Sequence, residues 1–148
     1  LATQAGQLTA LRSPAINTRY LGFTRLKEAG EKSIPPLVKL AADQNPYLSA
    51  RAVWLLAQLG EAGQDVVLNL AGKDDSQARI TAFRALRRAD FKGMMKLAQQ
   101  LAGDKSPAVR REVAFFLRNQ PASPEVVSAL VKIAMGYDGK GQKVLRAP

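Results

Sequence analysis

A segment of about 30 residues recurs four times in this sequence, and this period constrains the fold more than any other feature. Each copy contains an octet that ends in leucine, and the first residues of successive octets lie 30, 30 and 31 positions apart. The octets are Arg19–Leu26, Ser49–Leu56, Arg79–Leu86 and Arg110–Leu117. A fixed period with turn residues in phase is typical of arrays in which each repeat buries its apolar face against its neighbours. The sequence therefore predicts a solenoid.

Residues that start and stop helices accompany each octet. Six positions before its first residue stand Ser13, Asp43, Lys73 and Asp104, and eleven positions after it stand Gly30, Gly60, Asp90 and Pro121. These positions divide the chain into repeats at about 13–42, 43–72, 73–103 and 104–135. We expect one domain over residues 1–148, an all-α, right-handed α-solenoid of about four helix pairs, and a chain that is a fragment of a larger protein.

The segment Asn45–Gly60 shows how one helix of a pair is specified. Pro46 suits the first turn, where its missing N–H would be unpaired in any residue. Apolar residues then recur at helical spacing, and Gly60 follows as a left-handed residue at the C-terminus. By the same logic Ser13 is predicted to cap a helix that begins at Pro14 and runs to about Ala29. Partner helices are predicted from residue 33 and at 62–71, 91–102 and 125–135.

Composition excludes several functional classes. The chain has no cysteine and no histidine, so disulfides, zinc or haem ligation by these residues, and every imidazole-dependent triad are excluded. A hydrophobic content of 47% argues against disorder. The longest uninterrupted apolar run, Ala52–Ala57, is far shorter than the roughly 18 residues of a membrane span. We expect no membrane span.

The residues that could carry chemistry have structural explanations at these positions. Asp74 and Asp75 lie where one repeat turns into the next, and so do Asp43 and Asp104, which favours helix capping over a carboxylate site. The repeated arginines 19, 79 and 110 are expected to bond carbonyls and aspartates of the turns. Trp54 is expected to be half-buried, and residues 136–141 to form a loop without phosphate-binding context. No catalytic, cofactor-binding or metal residue is predicted, and we expect no enzyme and no cofactor.

Positive charge is concentrated in one part of the chain. The net charge is +10, and residues 79–118 contain ten basic and three acidic side chains, which accounts for +7 of it. Six of these cations form a candidate interaction patch: Arg84, Arg88, Lys92, Lys96, Arg111 and Arg118. Spacing of four residues places Arg84 with Arg88, and Lys92 with Lys96, on shared helix faces. The two pairs are expected on different helices and different sides of the array. The interpretation we prefer is a solvated face.

The sequence resembles known protein families in two places. The pattern Asp-x-x-x-x-Val-Arg-x-x-Val-Ala-x-x-Leu at Asp104–Leu117 resembles the short HEAT-like repeat of the phycobilisome-lyase type, which implies a HEAT/armadillo-like superhelix. Asn45–Gly60, Tyr20–Leu26 and Tyr137–Gly139 are similar to the HEAT-repeat region of large bacterial membrane-bound dehydrogenases. In that family a β-propeller precedes this region and a c-type haem domain follows it, which implies a periplasmic or secreted location. Ser49 departs from the arginine of the other octets, so its helix is expected to be held differently.

These observations predict a non-catalytic scaffold. Its partner is another protein or another domain of the parent chain, with a multidomain bacterial dehydrogenase as the specific expectation. The alternative is a nucleic-acid-binding solenoid that uses the basic region Arg79–Arg118. A third class, a lyase or isomerase for tetrapyrrole attachment, rests on the repeat type alone.

Overall fold

The computed structural model describes residues 1–136, and these residues fold into α-helices joined by short turns without any β-strand. The all-α prediction is therefore confirmed for this part of the chain. The predicted loop 136–141 beyond Gly136, and the Tyr137–Gly139 part of the family resemblance, lie outside the described residues. The described chain divides into two compact units, and the boundary between Gly72 and Lys73 coincides with the predicted boundary between the second and third repeats.

The first unit contains five α-helices and one short 3₁₀ helix. They are α1 (Gln4–Arg12), α2 (Ile16–Glu28), the 3₁₀ helix (Gly30–Ser33), α3 (Ile34–Ala41), α4 (Pro46–Leu56) and α5 (Gly60–Leu70). Helix α1 packs along α2, and α3 packs along α4. The α1–α2 contact is close because residue 22 is glycine: a Cβ there would lie 2.6 Å from the Leu11 nitrogen and 2.7 Å from the Gln7 oxygen.

The second unit contains four α-helices within the described residues. They are α6 (Ser76–Arg88), α7 (Met94–Leu101), α8 (Pro107–Leu117) and α9 (Pro124–Met135). Helix α8 is central to the unit, since α6, α7 and α9 all pack against it. None of the helices in residues 1–136 is long and apolar enough to cross a bilayer.

The leucine that ends each octet lies in the core, as the period predicts. Leu26, Leu56 and Leu86 are fully buried, and Leu117 is 1% exposed. Full burial of a leucine stabilises the fold by about 1.5–3 kcal/mol. The four leucines therefore supply equivalent apolar contacts in every repeat.

The turn that ends the first helix of a pair is built on a left-handed residue. Gly30, Gly60 and Asp90 hold the same repeat position, and their φ angles are +62°, +72° and +51°. Glycine adopts this region without strain, and aspartate tolerates it better than most residues. Pro121 holds this position in the fourth repeat and cannot adopt a positive φ, so that turn has a different conformation.

Several predicted helix ends are wrong by two to four residues. Helix α4 ends at Leu56 and not beside Gly60. The N–H groups of Gln58 and Leu59 donate to carbonyls three residues earlier instead of four, and Gly60 is the first residue of α5. Helix α2 begins at Ile16 and not at Pro14. Helix α7 begins at Met94 and not at Phe91. The last difference determines where the basic side chains lie.

Candidate functional site

The repeated arginines tie each helix to the turn that precedes it. In Arg19, Arg79 and Arg110 the guanidinium Nη1 donates to the carbonyl oxygens six and five residues earlier. The distances are 3.3 and 3.1 Å for Arg19, 2.8 and 2.7 Å for Arg79, and 2.6 and 3.3 Å for Arg110. These carbonyls lie outside the helices and would otherwise need water. The predicted structural role of the arginines is confirmed.

Arg79 makes an additional ion pair that joins the third repeat to the fourth. Its Nε and Nη2 donate to the two carboxylate oxygens of Asp104, at 2.8 and 2.7 Å. The two side chains are only 6% and 8% exposed. Buried bidentate pairs of this kind fix geometry, and removal of one partner leaves an uncompensated charge. Arg79 and Asp104 are therefore committed to the fold and are not free to bind a ligand.

The second repeat uses a different anchor, as the Ser49 departure predicts. Ser49 Oγ donates to the Ala41 oxygen at 2.7 Å. Two residues further on, Arg51 Nη1 donates to the carbonyl oxygens of Leu11, Arg12 and Ser13 at 3.1, 3.1 and 3.4 Å. Arg51 therefore satisfies the exposed carbonyls at the end of α1.

The predicted caps require a correction. Ser13, Asp43 and Asp104 are not the N-cap residues of α2, α4 and α8; the N-caps are Ala15, Asn45 and Ser106. Instead, each of the three side chains accepts a hydrogen bond from the N–H two residues later, which belongs to the N-cap residue. These residues form turns of the Asx or Ser type, which hold the chain extended before the helix starts.

The carboxylates at the start of the third repeat have separate roles. Asp75 is the N-cap of α6 and accepts from the N–H groups of Gln77 and Ala78, as the capping prediction requires. Asp74 is fully exposed and lies 3.8 Å from the Lys105 ammonium. No group of three or more acidic side chains within residues 1–136 is close enough together to hold a metal ion.

Three of the six predicted patch residues converge on one cleft in the second unit. The cleft has a volume of about 930 Å³, and Arg84, Lys92 and Arg118 line it together with Arg87. Its other lining residues are five aromatic or methionine side chains and four polar ones, Asp90, Glu112, Asn119 and Gln120. Arg88, Lys96 and Arg111 are exposed and do not line the cleft. We call this pocket the basic cleft.

The expectation that Arg84 and Lys92 lie on opposite sides is wrong. It assumed that Lys92 belongs to the second helix of the repeat, whereas that helix, α7, begins only at Met94. Lys92 lies in the turn that leads from α6 to α7. This turn brings its side chain to the cleft that Arg84, on α6, also lines.

Arg84 is held in place by a buried carboxylate. Its Nε and Nη2 donate to the two oxygens of Glu112 at 2.9 and 2.5 Å, and Glu112 is only 5% exposed. The hydrogen bonds from Arg84 lower the pKa of Glu112 below its usual value, and the charges of Arg87 and Arg111 act in the same direction. The same hydrogen bonds raise the pKa of Arg84. The Glu112 carboxylate therefore offsets the charge of Arg84, whose side chain is 45% exposed at the cleft wall.

The floor of the cleft is apolar and partly open. Phe91, Met95 and Phe116 are half-buried, and Phe115 is 44% exposed. The guanidinium carbon of Arg118 lies 5.2 Å from the centre of the Phe115 ring, a cation–π distance. Phe116 packs edge-on against the buried Phe83, with ring centres 5.9 Å apart. Sequence reasoning left Arg87 out of the patch because it paired cations four residues apart, and it missed the aromatic side chains because it considered only charged residues.

A second, apolar groove of about 330 Å³ lies in the first unit. It is lined by Leu11, Ile16, Arg19, Tyr20, Phe23, Arg51 and Trp54. Trp54 is half-buried, as predicted, whereas Ile16 and Tyr20 are 69% and 71% exposed. Because the two arginines are already bonded to carbonyls, the groove presents mainly apolar surface.

Comparison with protein-family models finds no match, and comparison with characterised proteins finds none either. The resemblance to the dehydrogenases therefore rests on the sequences of Asn45–Gly60, Tyr20–Leu26 and Tyr137–Gly139.

Proposed function

We propose that the chain is a non-catalytic helical-repeat scaffold that binds another protein or a neighbouring domain. In this proposal the helix pairs form a right-handed, HEAT-like solenoid. The equivalent arginine–carbonyl bonds of three repeats, the buried leucines and the shared left-handed turns support it. Repeats with the same internal contacts present the same faces, and such faces stack.

The stacking can be tested with cysteine pairs, because the chain has no cysteine of its own. Gln44 and Asp74 hold the same repeat position in the second and third repeats, and both are exposed. Spin labels at Gln44→Cys and Asp74→Cys are expected to show a narrow distance distribution. The control pair is Asp74→Cys with Lys105→Cys, which are equivalent positions inside one unit and already adjacent. A broad or much longer distance for the first pair would reject a continuous array.

The basic cleft is the observation that carries the binding proposal. Four cationic side chains surround an apolar floor, and the cleft lies at the upper end of the usual size of ligand pockets. Interfaces favour aromatic residues, methionine and arginine, and these residue types dominate here. In addition, α9 exposes Val127, Leu130 and Val131 at helical spacing, a stripe suited to interdomain contact.

The alternative, nucleic-acid binding through residues 79–118, is less well supported. Single-strand binders combine a continuous basic track with free aromatic faces. Here Arg88, Lys96 and Arg111 lie outside the cleft, and Arg118 covers the Phe115 ring. We expect weak, non-specific DNA binding at low ionic strength and none near physiological salt, measured by fluorescence anisotropy. Sub-micromolar, sequence-selective binding at physiological salt that is lost in Arg84→Glu with Arg88→Glu would favour the alternative.

The parent of this module is proposed to be a multidomain bacterial dehydrogenase of the periplasm or cell exterior. The resemblance of Asn45–Gly60 and Tyr20–Leu26 supports this context. The reading frame on either side of the chain provides the test. A β-propeller before residue 1 and a haem-attachment motif after residue 148 are expected, and a frame that lacks both would count against this parent.

A further inference from the structure

Some cations of the basic cleft are already paired with a carboxylate of the protein, and others have no acidic partner. Arg84 is paired with Glu112, whose carboxylate neutralises it. Arg87 and Lys92 have no acidic partner among residues 1–136, and both are exposed. Arg118 has no acidic partner in this range either, but Phe115 fixes its guanidinium. Arg87, Lys92 and Arg118 are therefore the cleft cations without an acidic partner in residues 1–136, and they are the ones available to an anionic group.

The arrangement of Arg118 favours a carboxylate. A guanidinium stacked on an aromatic ring keeps its N–H groups at the edge, where they can donate two parallel hydrogen bonds to a planar anion. Holding the side chain in advance also reduces the entropy that binding must overcome. Lys92, in the turn before α7, adds a flexible point charge.

The floor requires a ligand with an apolar part. Phe91, Met95 and Phe115 line the cleft and are partly exposed, so they leave apolar surface open to a ligand. A small inorganic anion would leave that surface in water, and Arg118 already occupies a face of Phe115, the most exposed ring of the cleft, on which a nucleic-acid base would stack. Methionine side chains adapt to ligands of varied shape. The ligand must combine negative charge with an apolar side chain on one short segment.

Resting on the proposed scaffold function, we propose that the basic cleft binds an acidic segment of a partner protein. An aromatic or large aliphatic side chain of that segment packs on Phe91, Met95 and Phe115. Aspartate or glutamate side chains on either side of it pair with Arg87, Lys92 and Arg118. The charges in the cleft support this choice: four cations and two carboxylates, Asp90 and Glu112, leave a net charge of +2.

A random peptide-display library selected on the intact chain tests the proposal. We expect the enriched peptides to carry two or more acidic residues around a Phe, Trp, Leu or Met. A fluorescent copy of an enriched peptide then gives the dissociation constant by anisotropy, with labelled single-stranded DNA and inorganic phosphate as competing ligands. Binding is expected to weaken as salt rises, since exposed charge pairs are screened.

Two triple variants separate the cleft from general charge. Arg87→Gln with Lys92→Gln and Arg118→Gln removes the three free cations of the cleft. Arg88→Gln with Lys96→Gln and Arg111→Gln removes the same charge from exposed sites outside it. Each exposed ion pair contributes a factor of about 1.4–5, so loss of all three cations is expected to weaken binding by about 3- to 125-fold, with about 20-fold at the middle of this range. The control variant is expected to change the affinity less than about threefold, the effect of one such pair.

Phe115→Ser probes the floor without a charge change, and circular dichroism of every variant confirms the fold. Enriched peptides without acidic residues, but lost in Phe115→Ser, would overturn the acidic ligand and leave the scaffold function standing. Equal losses in the two triple variants would show that only net charge matters and would reject the cleft. Tighter binding of DNA than of any peptide, or full competition by phosphate, would also overturn the proposal. A library that yields no binder would reject the acidic-segment proposal and leave standing the scaffold function, which also rests on the repeats and on the exposed stripe of α9.

Discussion

Replacement of Arg79 tests how the repeats are joined, because this side chain makes four hydrogen bonds while almost fully buried. Two of them reach Asp104 at 2.7 and 2.8 Å, and two reach the carbonyls of Lys73 and Asp74. Arg79→Met keeps most of the volume and removes every donor. The Asp104 carboxylate, 8% exposed, then retains the N–H of Ser106 as its protein donor within the described residues.

The expected cost can be worked out by comparison with Arg110. Removing one partner of a buried ion pair costs about 3–5 kcal/mol, because the other charge is left unpaired. Arg110→Met removes the same pair of carbonyl bonds but no ion pair, since within residues 1–136 Arg110 bonds only to the backbone carbonyl oxygens of Asp104 and Lys105. At about 0.5–1.5 kcal/mol for each hydrogen bond, its cost is about 1–3 kcal/mol. Arg79→Met should therefore be the more destabilising by about 3–5 kcal/mol, the cost of breaking the ion pair.

Urea unfolding followed by far-UV circular dichroism measures both free energies. A double variant, Arg79→Met with Asp104→Asn, is expected to recover about 1–3 kcal/mol, because asparagine still accepts the Ser106 N–H and carries no charge. If Arg79→Met is no more destabilising than Arg110→Met, the ion pair contributes nothing to joining the repeats. If the double variant is no more stable than Arg79→Met alone, the buried charge is not the cause of the loss.

Four further predictions use the same unfolding assay. Leu56→Ala is expected to cost about 2–5 kcal/mol, because it empties a fully buried site. Gly22→Ala is expected to cost about 1–3 kcal/mol, because its Cβ would meet the α1 backbone at 2.6 Å; Gly72→Ala, with no atom closer than 3.6 Å, should be near neutral. Asp90→Gly is expected to stabilise by up to about 1 kcal/mol, because φ is +51° there. The lowered pKa of Glu112 means that its stabilising contribution is present above the usual glutamate pKa and is lost as pH falls below it, so Glu112→Gln should flatten the acid limb of stability.

Each of these predictions has a result that would contradict it. A neutral Leu56→Ala would show that the repeat register is wrong. Equal effects of the two glycine substitutions would mean that α1 and α2 are not in close contact. If Asp90→Gly destabilises the protein, residue 90 does not have the left-handed backbone conformation. An unchanged acid limb in Glu112→Gln would show that another carboxylate controls stability at low pH.

The helical repeat was predictable because its requirements recur. Every repeat needs a buried leucine, a donor for the turn carbonyls and a residue that tolerates positive φ, and each requirement selects a residue type at a fixed position. Where the residue type changes, the local structure changes with it: Ser49 donates to the Ala41 carbonyl in place of the arginine bonds, and Pro121 does not form the left-handed turn. Helix starts were less predictable, because a side chain at Ser13 or Asp43 can hold the chain extended for two more residues.

The basic cleft was not predictable from charge spacing along the chain, but it follows from the register between repeats. Arg84 and Phe115 both stand five positions after the first residue of their octets, and Arg87 and Arg118 both stand eight positions after it. Positions five and eight lie one helical turn apart on one face. When α6 and α8 pack together, equivalent positions of the third and fourth repeats become neighbours. Arg84 and Arg87 of the third repeat then line one cleft with Phe115 and Arg118 of the fourth. The corresponding residues of the first two repeats are Thr24, Trp54, Lys27 and Ala57. Because those repeats supply only one cation at the two positions, a basic cleft of this composition belongs to the third and fourth repeats.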